Sequence, residues 1–137
     1  MIVALLDAGP LIALLNTADQ HHARFRQILL NPDRPMRLHT TWPCVVEAAH
    51  MFDARERFGL LRWIAAGGVL VFAFDTEDLL TMTDWMMRYT SAKAEMDLTN
   101  ASLYWVAHET GVTRILTLDV RDFSRYRLPD GRAFEIL

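Results

Sequence analysis

One cysteine and one lysine are all that this 137-residue chain contains of either type. A single thiol, Cys44, cannot close an internal disulfide and fits a reducing cytoplasm. No apolar run reaches the roughly 18 residues needed to cross a bilayer, so no membrane span is expected. The start has neither a basic n-region nor a small-residue cleavage site, so a secretory signal is not expected. Glycine-rich phosphate loops and serine nucleophile elbows are both missing. The histidines form no zinc pattern: His21 and His22 are adjacent and diverge around a helix, and His108 has no second histidine four residues on. His39 and His50 read as core-edge or surface groups. Positive charge is also in short supply, with a formal net charge of −3. That argues against an ordinary nucleic-acid module with a broad basic face. It leaves room for an enzyme whose acids gather in one cleft while arginines ring it. There are thirteen arginines, a residue suited to bidentate phosphate contact, although for any single one a solvated helix face is the default reading.

What the chain does contain is 52% hydrophobic and 23% charged residues without repeats, low-complexity tracts or linkers. This predicts one domain over residues 1–137. The apolar run Met1-Ile2-Val3-Ala4-Leu5-Leu6 stops at Asp7, and Ala8-Gly9-Pro10 leads into a second apolar stretch. A short all-apolar run closed by a turn reads as a buried parallel strand followed by a helix. Further on, a helix is expected over Asp19 to Leu30 with Asp19 as its cap. A short strand follows over Met36 to Thr40. A helix capped by Thr41 should run to about Arg57, and another covers Leu60 to Ala66. A second buried strand is expected over Val69 to Phe74, then a helix from Asp75 or Thr76 to Tyr89. Its methionines read as core filler. A helix starting at Asp97 or Thr99 should end at Gly111. A third strand, Arg114 to Leu118, again stops at an acid, Asp119. A short helical turn (Asp122 to Tyr126) and a strand over Ala133 to Leu137 close the chain. Strands alternating with helices predict an α/β fold with a mainly parallel sheet.

In a parallel sheet the carboxyl ends of neighbouring strands share one edge, so Asp7 and Asp119 can meet there, where open α/β sheets hold their ligands. Glu47 lies in the apolar stretch Val45-Val46-Glu47-Ala48-Ala49, where an acid needs a partner, a metal or water. Asp97 reads first as a helix cap. Asn100 lies three residues on, on the same face. Asp122 reads as a cap or as a partner of Arg121 or Arg125, supporting the site rather than forming it. Carboxylates held close together must bind protons or a divalent cation. An all-oxygen set suits Mg²⁺ or Mn²⁺ rather than Zn²⁺. Such an ion polarises a phosphoryl oxygen and activates water, which is nuclease chemistry.

Four segments carry a family likeness. Leu5-Leu6-Asp7-Ala8-Gly9-Pro10, Trp42-Pro43-Cys44-Val45-Val46-Glu47-Ala48, Met96-Asp97-Leu98-Thr99-Asn100-Ala101-Ser102 and Ile115-Leu116-Thr117-Leu118-Asp119-Val120-Arg121-Asp122-Phe123 resemble, in order, the four acidic blocks of the PIN domain, and most of all those of VapC-type ribonuclease toxins. The likeness covers essentially the whole chain. It implies a three-layer α/β/α sandwich, Mg²⁺ or Mn²⁺, hydrolysis of RNA, a homodimer, and neutralisation by a small VapB-like antitoxin. By position it places Asp7, Glu47, Asp97 and Asp119 as catalytic acids. Asp7, Asp97, Asn100 and Asp119 fall at the metal, and Arg121 and Arg125 are candidates to steer phosphate. The chain departs from the pattern twice. Asn100 stands where a metal-site acid is usual, and Ala8 stands where serine or threonine is usual. Asp97, one turn before Asn100, is the residue expected to supply the missing charge. The two departures keep open a weakened or inactive domain that binds RNA or a protein partner.

Overall fold

The computed structural model describes residues 1–137. Five strands form one sheet in the order β3-β2-β1-β4-β5: β1 (Ile2–Leu6), β2 (Met36–Thr41), β3 (Leu70–Phe72), β4 (Arg114–Leu116) and β5 (Glu135–Ile136). Every pairing between them is parallel. Seven helices flank the sheet: α1 (Ala8–Leu15), α2 (His22–Leu29), α3 (Trp42–His50), α4 (Ala54–Ala65), α5 (Asp78–Arg88), α6 (Leu98–Thr110) and α7 (Val120–Arg125). This is the layered α/β architecture that the alternating pattern predicts. No helix is long and apolar enough to cross a membrane.

The strand order positions the site. The chain steps from β1 outward to β2 and β3, then returns to place β4 on the other side of β1. The direction of winding reverses between β1 and β4, and a crevice opens at such a reversal beyond the carboxyl ends of the strands. Leu5 and Leu6 of β1 register with Ile115 and Leu116 of β4. Asp7 and the Thr117–Asp119 turn therefore leave the sheet side by side.

Several boundaries differ from expectation, each for a local reason. The helix expected from Thr41 to Arg57 breaks after His50. Asp53 starts α4 with a capping box, in which its carboxylate accepts from the backbone N–H of Glu56 and the Glu56 side chain accepts from the N–H of Asp53. Arg57 then donates to the carbonyls of Ala49 and Phe52, closing the free end of α3. Thr41 precedes α3 but does not cap it with its side chain. Its hydroxyl instead meets the Ser102 hydroxyl at 2.7 Å. Asp19 caps no helix; it accepts from the N–H of His21, and α2 begins at His22. The helix expected from Asp75 or Thr76 starts at Asp78, whose carboxylate accepts from the N–H of Asp75. β3 is an edge strand of three residues with Leu70 exposed, not a buried strand reaching Phe74. β4 and β5 are likewise shorter than expected. Of the α5 methionines only Met82 is fully buried, and Met87 is exposed. Gly111, at φ +78°, ends α6 in the left-handed conformation that glycine adopts without strain.

Candidate active-site cleft

Asp7 follows β1 directly and occupies the N-cap position of α1, with extended backbone angles. Its Oδ1 accepts from the Ala8 N–H at 2.8 Å and its Oδ2 from the Thr117 hydroxyl at 2.7 Å. The residue is only 8% exposed. Burial pushes its pKa up from 3.8 to about 6, against the pull of the Thr117 and Ala8 hydrogen bonds, and the charges of Glu47 and Asp119 add to the rise. Behind it the Cys44 thiol lies 4.0 Å from Oδ1. Burial holds that thiol at about 12, so it stays a neutral neighbour rather than a nucleophile.

Asp119 is the N-cap residue of α7. Its Oδ2 accepts from the Asn100 amide at 3.0 Å, and its backbone N–H donates to the Thr117 hydroxyl at 2.9 Å. Burial raises its pKa; the Asn100 bond opposes this, and neighbouring Asp122 reinforces it. Thr117 thus joins the two acids with one buried hydroxyl, donating to Asp7 and accepting from Asp119. Gly9 brings the same two segments close. A Cβ there would lie 3.0 Å from the end of the Leu118 side chain, which would have to give by a few tenths of an ångström.

Asp97, Asn100, Glu47, Asp7 and Asp119 line one open cleft. A larger groove runs along α2 past His22, Arg26 and Gln27, but no carboxylate lines it, so the smaller cleft is where acid chemistry can occur. Glu47, set among apolar neighbours in sequence, is exposed on α3 and has no ion-pair partner, so the surface pairing with an arginine that its position also allowed is not made. Asp97 is exposed too. Its Oδ1 accepts from the Asn100 backbone N–H at 2.8 Å, so it caps α6 while its second oxygen remains free. Asn100 is 7% exposed, and its amide also donates to the Tyr126 hydroxyl at 3.1 Å. Asp122 pairs with Arg125 at 2.9 Å, and the Arg125 guanidinium lies 4.9 Å above the Tyr126 ring. Arg125 is therefore engaged within the protein rather than extended toward a ligand, whereas Arg121 is exposed and makes no ion pair. Sequence reading missed Thr117, whose signal was a hydroxyl within the apolar run Ile115-Leu116-Thr117-Leu118. It also missed Tyr126 as a partner of Asn100.

The donors suit a hard divalent cation in kind, since every polar side chain named in the cleft offers oxygen. One or two carboxylates with waters and substrate phosphate commonly hold Mg²⁺, and Asp7 and Asp119 supply that number in this cleft. No three histidine, cysteine, aspartate or glutamate side chains stand close enough to hold a metal ion. Asn100, in the lining of the same cleft, has its N–H groups turned toward Asp119 and Tyr126.

No protein-family model matches the chain, and no curated protein matches it in sequence. Solved structures do resemble it. The crystal structure of Mycobacterium tuberculosis VapC20, described as a sarcin-ricin loop cleaving toxin, aligns with a TM-score of 0.75 at 15% identity. The alignment covers 88% of this chain and 92% of that one. The fold is thus a VapC-like PIN fold, as the four blocks implied.

Proposed function

We propose that this chain is a metal-dependent endoribonuclease that hydrolyses RNA phosphodiester bonds, acting in the cytoplasm as the toxin of a type II toxin–antitoxin pair. The observation that carries the reading is the meeting of Asp7, Glu47, Asp97 and Asp119, from four distant segments, in one cleft at the reversal of strand order. The shared fold with a toxin named for cleaving the sarcin-ricin loop supports RNA as the substrate. A bound Mg²⁺ or Mn²⁺ would polarise the phosphoryl oxygens and lower the pKa of water. Asp7 and Asp119, with Asp97, are the groups to hold it. Thr117 fixes the first two relative to each other. Glu47, exposed and unpaired, is free to orient the attacking water and accept its proton. Arg121 is the nearest exposed cation in sequence to Asp119 and is the candidate to meet phosphate.

A protein partner is part of this reading, both as a second copy and as a VapB-like antitoxin. Ala54, Phe58, Leu61 and Ala65 recur on the exposed side of α4, with Phe58 57% and Leu61 48% exposed. Contiguous exposed apolar surface of this kind is typical of association sites.

Purified protein with Mn²⁺ should cleave RNA in preference to a matched DNA, and Asp7→Ala should abolish that cleavage. Cleavage that persists in Asp7→Ala overturns the assignment. Asn100 and the lack of a three-acid group favour one further reading, a domain that binds RNA or a protein without cutting. RNA binding without Mn²⁺-dependent cleavage is its signature.

A further inference from the structure

We infer that Asn100 is a neutral brace for Asp119, giving its carboxylate with one N–H part of what a cation would give while the other N–H anchors the amide on Tyr126, and so lowering the demand of this cleft for an ion. The inference rests on the reading of the cleft as an ion site. It begins from the amide orientation. The Asn100 Nδ2 lies 3.0 Å from Asp119 Oδ2 and 3.1 Å from the Tyr126 hydroxyl. An ionised carboxylate oxygen only accepts. Turning the amide over would set two acceptor oxygens 3.0 Å apart, so the nitrogen faces Asp119. One N–H then serves Asp119 and the other serves Tyr126. The Asn100 backbone is fixed as well, because its N–H donates to the Asp97 cap. This side chain is therefore held from both ends.

The brace accounts for two features together. The cleft gathers acids yet contains no three that stand close enough for an ion. Asp97, the residue expected to make up the missing charge, uses one of its oxygens as the cap that seats Asn100. Placing a carboxylate at position 100 would replace an attraction at 3.0 Å with a repulsion between like charges. Such a pair is tolerated only with a proton or a cation between them.

The test is thermal unfolding of the wild-type chain, Asn100→Asp and Asn100→Ala, each in EDTA and in millimolar MnCl₂, with Mn²⁺ titrated separately. Neither readout depends on RNA cleavage. In EDTA, Asn100→Asp should melt about 5 °C below wild type, a shift on the scale expected for one unfavourable charge pair in a domain of this size. Mn²⁺ should restore it, with affinity roughly tenfold above wild type as ligand charge rises. Asn100→Ala adds no charge and removes the same donors. Its Mn²⁺-induced rise in melting temperature should exceed that of wild type and fall short of Asn100→Asp. Two results overturn the brace. A smaller Mn²⁺ response in Asn100→Ala than in wild type would make Asn100 an ion ligand through its carbonyl. Equal responses in all three proteins would leave it no part in the ion balance. If wild type ignores Mn²⁺ while Asn100→Asp responds, the brace stands and the ion-dependent nuclease reading fails.

Discussion

Two acids of the cleft follow strands and two ride on helices, and their surroundings differ. Asp7 and Asp119 follow β1 and β4, accept hydrogen bonds from buried donors, and share the Thr117 hydroxyl. Glu47 and Asp97 are exposed; one is unpaired and the other uses a single oxygen as a helix cap. The strand-end pair is set in place by the fold before any ligand arrives, so its geometry carries a folding cost. The helix-borne pair can reorient. Substitutions at the first pair should therefore change both stability and activity, while those at the second should change activity with little effect on stability.

The largest effect is expected at Asp7. Burial holds its pKa at about 6, above its ordinary 3.8, so the folded chain binds this proton more tightly than the unfolded chain. Its contribution to stability is most favourable below pH 4, falls as pH rises from about 4 to 6, and stays at its minimum above 6. At about 1.4 kcal/mol per tenfold change in proton affinity, the buried charge costs about 3 kcal/mol at neutral pH. Asp7→Asn removes the charge and retains an oxygen for the Ala8 N–H. In chelator at pH 7.5 it should raise the unfolding midpoint by several degrees, as it abolishes cleavage. Its advantage over wild type should vanish near pH 4. Urea unfolding of both proteins across pH 4 to 8 measures this. An advantage that is independent of pH would show that the gain comes from packing rather than charge.

Thr117 comes next. Thr117→Val keeps the shape but leaves the Asp119 N–H without its acceptor and takes a donor from Asp7. A buried polar group left unsatisfied costs about 1–3 kcal/mol. The expected result is a loss of that size together with a slower cleavage rate, and near-recovery of both in Thr117→Ser. If Thr117→Ser behaves like Thr117→Val, the methyl group rather than the hydroxyl supports the site.

The same contrast explains what the sequence made legible. Asp7 and Asp119 stand out because an apolar strand ends abruptly at or near each, and a parallel sheet puts such ends on one edge. The Asp97 cap and the Gly111 stop are local signals, readable from a few neighbours. Glu47 is ambiguous in sequence because its neighbours are apolar, while the helix turns Val45 and Ala48 inward and Glu47 outward. The break before α4 was written in Asp53 and Glu56, but the apolar spacing on either side hides it. The bonds that define the strand-end pair join Thr117 to Asp7 and Asn100 to Asp119. These partners are 110 and 19 residues apart, and no local pattern reports which donor reaches which acid. The short β3 and β5 lie at the sheet edges, where pairing on one side only supports fewer ladder residues.

The smallest stability effects are expected at Glu47 and Asp97, and there the comparison can be sharpened furthest. Glu47→Gln alters an exposed side chain without a partner, so its stability should stay within about 0.5 kcal/mol of wild type. Its cleavage rate should nonetheless fall, because glutamine cannot take a proton from water. At Asp97 two roles overlap and two substitutions divide them. Asparagine also caps helices well, so Asp97→Asn should cost only a few tenths of a kcal/mol, whereas Asp97→Ala should cost about 0.5–2 kcal/mol through loss of the cap. If cleavage follows the cap, Asp97→Asn stays active and Asp97→Ala is weakened. If the free second oxygen provides charge to the cleft, both substitutions lose activity alike while their stabilities differ. Paired rate and melting measurements on these two variants decide whether the acid at the head of α6 only seats Asn100 or also takes part in the chemistry.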